Sequence, residues 1–283
     1  GRLLGVGLAS YSEQTAHGSA EWTRRGSPII PGFESATARL NPDGTLVLLV
    51  GIHSHGQGLE TTLAQIAYEE LGIHPNDINV RFGDTGVSPF GFGTFASRSM
   101  VMSGGAVSNV CINLREKLAL IAAHQLQCDV EQVRFADGEA RGASGSISIA
   151  EICRIAHLRQ DGLPDGVDPI LDATETYEPS ESTGVFSYAT HAAVVLVDPQ
   201  SGAIELIDYA VVEDCGNMVN PMIVDGQITG GVAQGIGTAI YEESIYDENG
   251  QPLATTFADY LLPGATEIPD IKIGHMVPPA VYT

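Results

Sequence analysis

The chain has 283 residues, of which 13 are Lys or Arg and 35 are Asp or Glu, so its formal net charge is −22. A surface this acidic repels phosphate backbones and anionic lipid headgroups, which argues against nucleic acid or an anionic membrane as partner. The sequence has no run of about 18 apolar residues, so no membrane span is predicted. Its four cysteines form no Cys-x-x-Cys pair, which argues against a disulfide framework or a zinc site and favours a reducing cytoplasm.

The first part of the chain shows strand patterns followed by a helix. Alternating apolar residues predict strands at 3–11, 35–40 and 45–52, and residues 41–44 (Asn-Pro-Asp-Gly) predict the turn between the last two. Residues 59–71 carry apolar side chains at helical spacing and stop before Gly72, which is a common end of a helix.

The next part of the chain predicts a short strand at 78–82 and then two helices. A long helix over about 103–127 is apolar on most of its faces, so we expect it to be buried. Ser148 and Glu151 have the spacing of a capping box, which opens a short helix that ends near His157.

A segment rich in Gly, Pro and Asp at 161–168 is the best internal boundary. Strands and helices occur on both sides of it, which predicts an α+β fold with two lobes, residues 1–160 and 169–283, each a mixed sheet with packed helices. Beyond the linker the predicted elements are strands at 189–197 and 203–212, a helix at about 226–242 and an extended segment at 268–276.

Three glycine-rich segments, at 51–58, 91–99 and 226–235, are the most informative features of the chain. The first ends an apolar strand and opens a helix, which exposes main-chain N–H groups at a helix N-terminus. Such a terminus stabilises an anion without any lysine, and this chain has few cations to spare. Together the segments predict a cradle for an elongated, phosphorylated cofactor.

Several motifs occur in a fixed order along nearly the whole chain. Together they resemble the large subunits of the molybdenum hydroxylases, a family that includes xanthine dehydrogenases, aldehyde oxidoreductases and aerobic carbon monoxide dehydrogenases. The motifs that carry this resemblance are at 55–65, 83–85 followed by 93–99, 214–221, 226–235 and 259–263.

The resemblance implies the second molybdopterin-binding half of such a subunit. The expected cofactor is a molybdopterin dinucleotide that carries molybdenum, in its cytosine form. The family hydroxylates aldehydes or N-heterocycles with oxygen from water, or oxidises carbon monoxide. Electrons would leave through iron–sulfur clusters and FAD on partner subunits or domains, and the remaining half of the molybdenum subunit is a further expected partner.

The same resemblance assigns the residues of the cofactor site. The segment at 55–57 is expected to present N–H groups to the pterin or its phosphate, and the segment at 96–99 to contact the pyrophosphate and nucleotide. Arg98 is the one cation of that second segment, and a phosphate pair would recruit it. The expected cofactor-binding residues are His55, Gly56, Gln57, Ala96, Ser97, Arg98, Ser99 and Gln234.

No catalytic residue and no metal ligand are assigned within this sequence. The family's catalytic glutamate follows a Pro-Pro region such as that at 278–279, and the sequence ends at Thr283 before any such motif. The chain is therefore expected to be a fragment or one part of a split subunit, and to be inactive alone.

Two other functions remain open at this point. One is a subunit that retains the fold without a cofactor, and the other is a hydrolase that uses His53 and His55 as metal ligands, or a serine of the 97–99 segment as nucleophile. Asp84 and Asp214 are expected to anchor turns, and Cys215 is expected to be a small buried apolar residue.

Overall fold

A computed structural model describes residues 1–180 and 183–278 and divides the chain into two compact units. The first unit joins Gly1–Glu13 to the chain from Phe186 onward, and the second unit is Gln14–Val185. This division differs from the predicted one, because the linker predicted at 161–168 lies inside the second unit. The physical reason is that the chain after this linker forms a strand that pairs with Glu34–Leu40 and continues the same sheet.

Helices and strands alternate irregularly along the chain, as predicted for the α+β class. They are β1 (Leu3–Thr15), α1 (Ser19–Arg24), β2 (Glu34–Leu40), β3 (Leu46–Val50), α2 (Leu59–Leu71), β4 (Ile78–Arg81), α3 (Ser99–Leu126), β5 (Arg134–Ala136), β6 (Glu139–Gly142), β7 (Gly145–Ser148), α4 (Ile149–Leu158), β8 (Asp172–Tyr177), β9 (Val185–Val197), β10 (Ile204–Asp214), α5 (Pro221–Ile236) and β11 (Ile271–His275).

The second unit is built on a four-stranded sheet of order β4-β3-β2-β8. Strand β3 pairs antiparallel with β2 and parallel with β4, and β2 pairs antiparallel with β8. Leu48 of β3, Leu63 of α2 and Leu118 of α3 are fully buried in one common core. The long helix α3 is buried on most of its faces, as its apolar composition predicts, and its exposed residues follow one stripe that includes Asn109, Asn113 and Glu116.

The first unit has a four-stranded sheet of order β1-β9-β10-β11. Helix α5 packs on this sheet through Ile228, Val232 and Ile236, which follow one another at a spacing of four residues and so lie on one side of the helix. Val211 of β10 and Ile271 of β11 pack against this stripe of three residues. The core of this unit is small, and most of α5 outside the stripe is exposed.

The bounds of α2 agree with the prediction, and Gly72 ends the helix in the left-handed conformation with φ = 68°. Two other helices begin earlier than predicted. Helix α3 begins at Ser99, and α5 begins at Pro221, where the side chain of Asn220 accepts a hydrogen bond from the N–H of Ile223 at 3.2 Å. An asparagine cap followed by proline in the first turn is a signal for the start of a helix. The prediction placed the start at the glycines further along α5 instead.

Three parts of the fold were not predicted: helix α1, strand β8 and the small antiparallel sheet β5-β6-β7. Their strands are three to six residues long and carry no clear alternation of apolar and polar residues. Within residues 1–180 and 183–278, no helix combines the length and apolar character that crossing a bilayer requires.

Replacing Gly105 by alanine tests how closely α3 packs on the sheet. A Cβ atom at this position would overlap the ring of Tyr177 at the end of β8. We therefore expect Gly105→Ala to destabilise the protein by about 1–3 kcal/mol, although alanine has the higher helix propensity.

Gly104→Ala is the matched control, because its Cβ would meet the mobile end of the Ile66 side chain, at 3.2 Å. We expect this variant to be neutral or slightly stabilising. Thermal denaturation of both purified variants measures the difference, and an equal melting temperature for the two would contradict the close packing.

Candidate functional site

The first glycine-rich loop, residues 51–58, connects β3 to the start of α2. Gly56 has φ = 94°, and Gly58, which caps α2, has φ = 78°. No side chain of the described residues caps the start of α2. A Cβ on Gly56 would meet nothing within 4 Å, so this side of the loop is open. The loop is thus open on one side just before the start of α2, where the first N–H groups have no partner within the helix.

Side chains within the first loop fix its shape. The N–H of His55 donates to Oε1 of Gln57 at 2.5 Å, and Oγ of Ser54 donates to the carboxylate of Glu60 at 2.9 Å. Oε1 of Gln57 is thus engaged within the loop, and its NH2 group carries the two hydrogen-bond donors of this side chain.

The second loop, residues 91–98, leads into α3 through a strained backbone. Ala96 and Ser97 have φ values of 48° and 51°, which are uncommon for residues other than glycine. Each such residue costs on the order of 1–3 kcal/mol and persists only where its surroundings enforce it. Both residues are exposed, and no side chain of the described residues caps α3. The strained residues are therefore exposed directly before the start of α3, where Arg98 and Ser99 are buried.

Arg98 turns inward from this loop. Its side chain is 1% exposed and forms an ion pair with Glu34, which is fully buried. Nη1 also donates to the carbonyl of Gly93 at 3.0 Å, Nη2 donates to the carbonyl of Phe33 at 2.8 Å, and the guanidinium lies 5.2 Å from the centre of the Phe95 ring. The sequence suggested that this cation contacts phosphate, but the structure directs it to the base of the loop, where it stabilises the loop conformation.

Glu34 begins β2 and connects this cation to the backbone of the loop. Its Oε1 accepts from Arg98 and from the N–H of Phe92 at 2.9 Å. A Cβ on Gly51 would lie 2.5 Å from the Cα of Gly91 and 2.7 Å from Oε2 of Glu34. Both glycines are thus needed for the close approach of the two loops over this carboxylate.

Thr94 joins the two loops directly. Its hydroxyl donates to the carbonyl of His53 at 2.6 Å and accepts from the N–H of His53 at 3.1 Å. Ser99, the first residue of α3, donates to the same hydroxyl at 2.9 Å. One hydroxyl therefore connects the first loop at His53 to the start of α3 at Ser99. The sequence did not indicate this connection, because Thr94 resembles any polar loop residue.

The histidine pair of the first loop is exposed and is not part of a metal site in the described residues. The rings of His53 and His55 are 6.0 Å apart, and His53 packs edge-on against Phe82 at 5.0 Å. Nδ1 of His53 lies 2.7 Å from the carbonyl of Ser54. Across residues 1–180 and 183–278, no three His, Cys, Asp or Glu side chains gather in a cluster that could hold a metal ion.

The two aspartates act as turn anchors, as predicted. Asp84 accepts from the N–H of Gly86, and Asp214 accepts from the N–H of Gly216, both at 2.9 Å. Cys215 differs from the prediction, because it is exposed rather than buried. Partial burial of its sulfur and the carboxylate of Glu213 raise the pKa of the thiol to about 11, so it is protonated at neutral pH and is a poor nucleophile.

The structure brings seven of the eight predicted residues into one unit. The segments at 55–57 and 96–99 both lie in the second unit and share the Thr94 connection. Gln234 lies in the first unit, on α5, where its side chain is exposed. Glu34 and Thr94 hold these two segments in place, and the sequence did not indicate either of them.

The fold and the two loops define a class of protein. Two helices without side-chain caps begin at the ends of two glycine-rich loops, which Thr94 joins and whose one arginine faces inward, so main-chain N–H groups are the donors available there. Such donors suit an anionic cofactor.

The chain belongs to the molybdopterin cofactor-binding domain family, whose model matches residues 1–269. It is 34% identical to the nicotine 6-hydroxylase large subunit of Paenarthrobacter nicotinovorans, covering 100% of this chain and 35% of that protein. It is 31% identical to the carbon monoxide dehydrogenase large chain of Hydrogenophaga pseudoflava, covering 99% of this chain and 34% of that protein. The resemblance to molybdenum hydroxylases is thereby confirmed.

A solved structure shows the same fold. Quinoline 2-oxidoreductase from Pseudomonas putida 86 matches with a TM-score of 0.89 and 38% identity, over 99% of this chain and 36% of that one. The chain thus spans about a third of the length of these relatives.

Removing the arginine of the buried ion pair should be costly. We expect Arg98→Met to destabilise the protein by about 3–5 kcal/mol, because it leaves the charge of Glu34 buried without its partner. Chemical denaturation measures the loss. Combining it with Glu34→Gln should recover part of the stability, since the uncompensated charge is then removed.

Arg39→Met is the matched control. Arg39 pairs with Asp172 at 2.7 Å, but its side chain is 55% exposed, so we expect a loss below about 1 kcal/mol. Equal losses for the two single variants would show that burial of the Arg98 pair does not matter.

Proposed function

We propose that this chain binds a molybdopterin dinucleotide through main-chain N–H groups at the starts of α2 and α3. The observation that carries the proposal is the left-handed pair Ala96 and Ser97, held exposed directly before a helix start that no described side chain caps. Strained backbone of this kind marks ligand-binding loops. Membership of the molybdopterin cofactor-binding domain family supports a molybdopterin as the ligand.

The residues fit an anionic group of this kind. Open space at Gly56 and at Gly93, where a Cβ would meet nothing within 4 Å, lets a ligand approach the backbone of both loops. Two helix N-termini supply partial positive charge at the two loops, whose one arginine, Arg98, faces inward. Charge compensation by amides also suits a chain with a net charge of −22, which has few lysines and arginines available.

Within this proposal each loop residue has a defined role. His55, Gly56 and Gln57 present the donors of the first loop, and Ala96 and Ser97 present those of the second loop. The side chain of Ser99 is occupied by Thr94, so this residue contributes its main chain. Arg98 acts as a positioning residue that holds the second loop. For Gln234 the proposal of a hydrogen bond to the cofactor depends on the sequence resemblance.

The activity is proposed for the complete protein, of which this chain is the cofactor-binding part. When bound, molybdenum supplies the redox chemistry for oxidising an N-heterocycle, an aldehyde or carbon monoxide with water as the oxygen source. The names of the relatives, nicotine 6-hydroxylase and carbon monoxide dehydrogenase, support these substrate classes. The cytosine form of the cofactor, iron–sulfur and flavin partner subunits, the inactivity of the chain alone and a cytoplasmic location belong to the same proposal.

The competing functions have less support. A hydrolase using His53 and His55 would need further ligands, and the described residues contain no metal-binding cluster. A subunit that retains the fold without cofactor predicts that the complete native protein contains neither molybdenum nor pterin. Elemental analysis together with pterin fluorescence after oxidation decides between this alternative and our proposal.

The backbone of the second loop can be tested at Ser97. We expect Ser97→Val to lower the molybdenum and pterin content of the purified complete protein several-fold, because a β-branched residue is disfavoured at φ = 51°.

Ser97→Gly is the matched control, because it also removes the hydroxyl but keeps the left-handed backbone accessible. We expect this variant to retain most of the cofactor. If both variants lose the cofactor equally, the hydroxyl rather than the backbone conformation is the essential feature, and if neither loses it, the loop does not bind the cofactor.

A further inference from the structure

His275, at the end of β11, lies between two carboxylates of the first unit. Its Nδ1 is 2.5 Å from Oε1 of Glu213, which pairs with it in register on the parallel neighbour β10. Its Nε2 is 2.8 Å from Oδ1 of Asp225 on α5. The side chain of His275 is 22% exposed, and that of Glu213 is 9% exposed. One imidazole ring therefore connects the sheet to the helix.

This geometry requires a charged ring. An ionised carboxylate only accepts hydrogen bonds, so both ring nitrogens must carry a proton to satisfy both contacts. The hydrogen bond to Glu213, followed by that to Asp225, raises the pKa of His275 above its ordinary value. A neutral ring has one N–H and can keep only one of the two contacts.

Helix α5 has few apolar contacts with the sheet, so a polar connection matters for its position. Its apolar contact to the sheet is the stripe Ile228, Val232 and Ile236, all C-terminal to Asp225. Glycine has a low helix propensity, and a Cβ at any glycine of this helix would meet nothing within 4 Å. These glycines are Gly226, Gly230, Gly231 and Gly235.

We propose that His275 is a positioning residue: a proton-dependent clamp that fixes the N-terminal half of α5 to the sheet through Glu213 and Asp225. The clamp depends only on the contacts described above. Gln234 lies nine residues after Asp225 on the same helix, so the clamp also positions Gln234. The importance of that position for the cofactor rests on the proposed function.

The direction of the pH dependence follows from the raised pKa. The stabilisation is fully present below the ordinary histidine value of about 6.5 and is lost as the pH rises through the higher value of the folded state. The neighbouring thiol and phenols stay neutral over this range, because the pKa values of Cys215 beside Glu213, Tyr11 of β1 and Tyr188 of β9 are all raised. Burial lowers the pKa of His191, which pairs with Val211 from β9, so its ring loses its charge at a lower pH than His275 does. The neighbouring carboxyl groups are Asp214 and Glu13.

Hydrogen–deuterium exchange of the complete protein tests the clamp. Protection of the peptide that covers Pro221–Ile236 is measured at about pH 6 and about pH 9, after correction for the intrinsic rates. We expect protection to fall roughly tenfold at the higher pH. His275→Gln should show the low protection at both pH values. Asp225→Asn, on the more exposed side of the clamp, should move the transition to lower pH.

His157→Gln is the matched control, because His157 has a hydrogen-bond partner, the carbonyl of Leu40 at 2.9 Å, but lies in the second unit. It should leave the protection of α5 unchanged at both pH values. Protection of α5 that is independent of pH, or unaltered by both His275→Gln and Asp225→Asn, would overturn the clamp. Molybdenum content of the same preparations is measured separately: its absence contradicts the proposed function alone, and leaves the exchange result as the test of the clamp.

Discussion

The buried pair of Arg98 and Glu34 is the interaction on which the candidate site depends. Removing two charges from water is costly, and a pair of this kind is stable only when further hydrogen bonds satisfy both groups. Here Gly93, Phe33 and Phe92 supply three such bonds from the backbone of the loop and of the segment before β2, whereas Nε of Arg98 and Oε2 of Glu34 have no hydrogen-bond partner among the described residues. The pair therefore fixes the loop at Phe92 and Gly93 on one side of the left-handed residues Ala96 and Ser97 and at Arg98 on the other.

The sequence assigned Arg98 to a phosphate group, whereas the structure pairs it with Glu34 inside the protein. Under the proposed function, contact with the ligand then falls to the main chain. Amides at a helix start are fixed in direction and bring no flexible side chain, so they impose a geometry on an anion as well as a charge. In an acidic chain this solution also avoids concentrating scarce cations at one place.

The sequence predicted well those features that depend on neighbouring residues. The bounds of α2 followed from its apolar spacing and Gly72, and the two loops followed from their glycines and motifs. The failures concern contacts between distant positions. Nothing near Glu34 marks it as the partner of a residue 64 positions away, so Arg98 was read as a surface cation. Strand β8 was not predicted, because it forms by pairing with the edge of β2 and its own sequence has no strand pattern.

The crossing of Gly51 and Gly91 over Glu34 has a consequence for engineering. The second loop looks like a continuous segment that could be grafted from one relative to another, but its shape is specified from three places in the chain. A transplanted loop would need a matching acid at the start of β2 and a residue without a side chain at the end of β3. The unit that can be exchanged is thus discontinuous in sequence. A chimera designed from the contiguous loop alone would lack the carboxylate and the glycine that fix the shape of the loop.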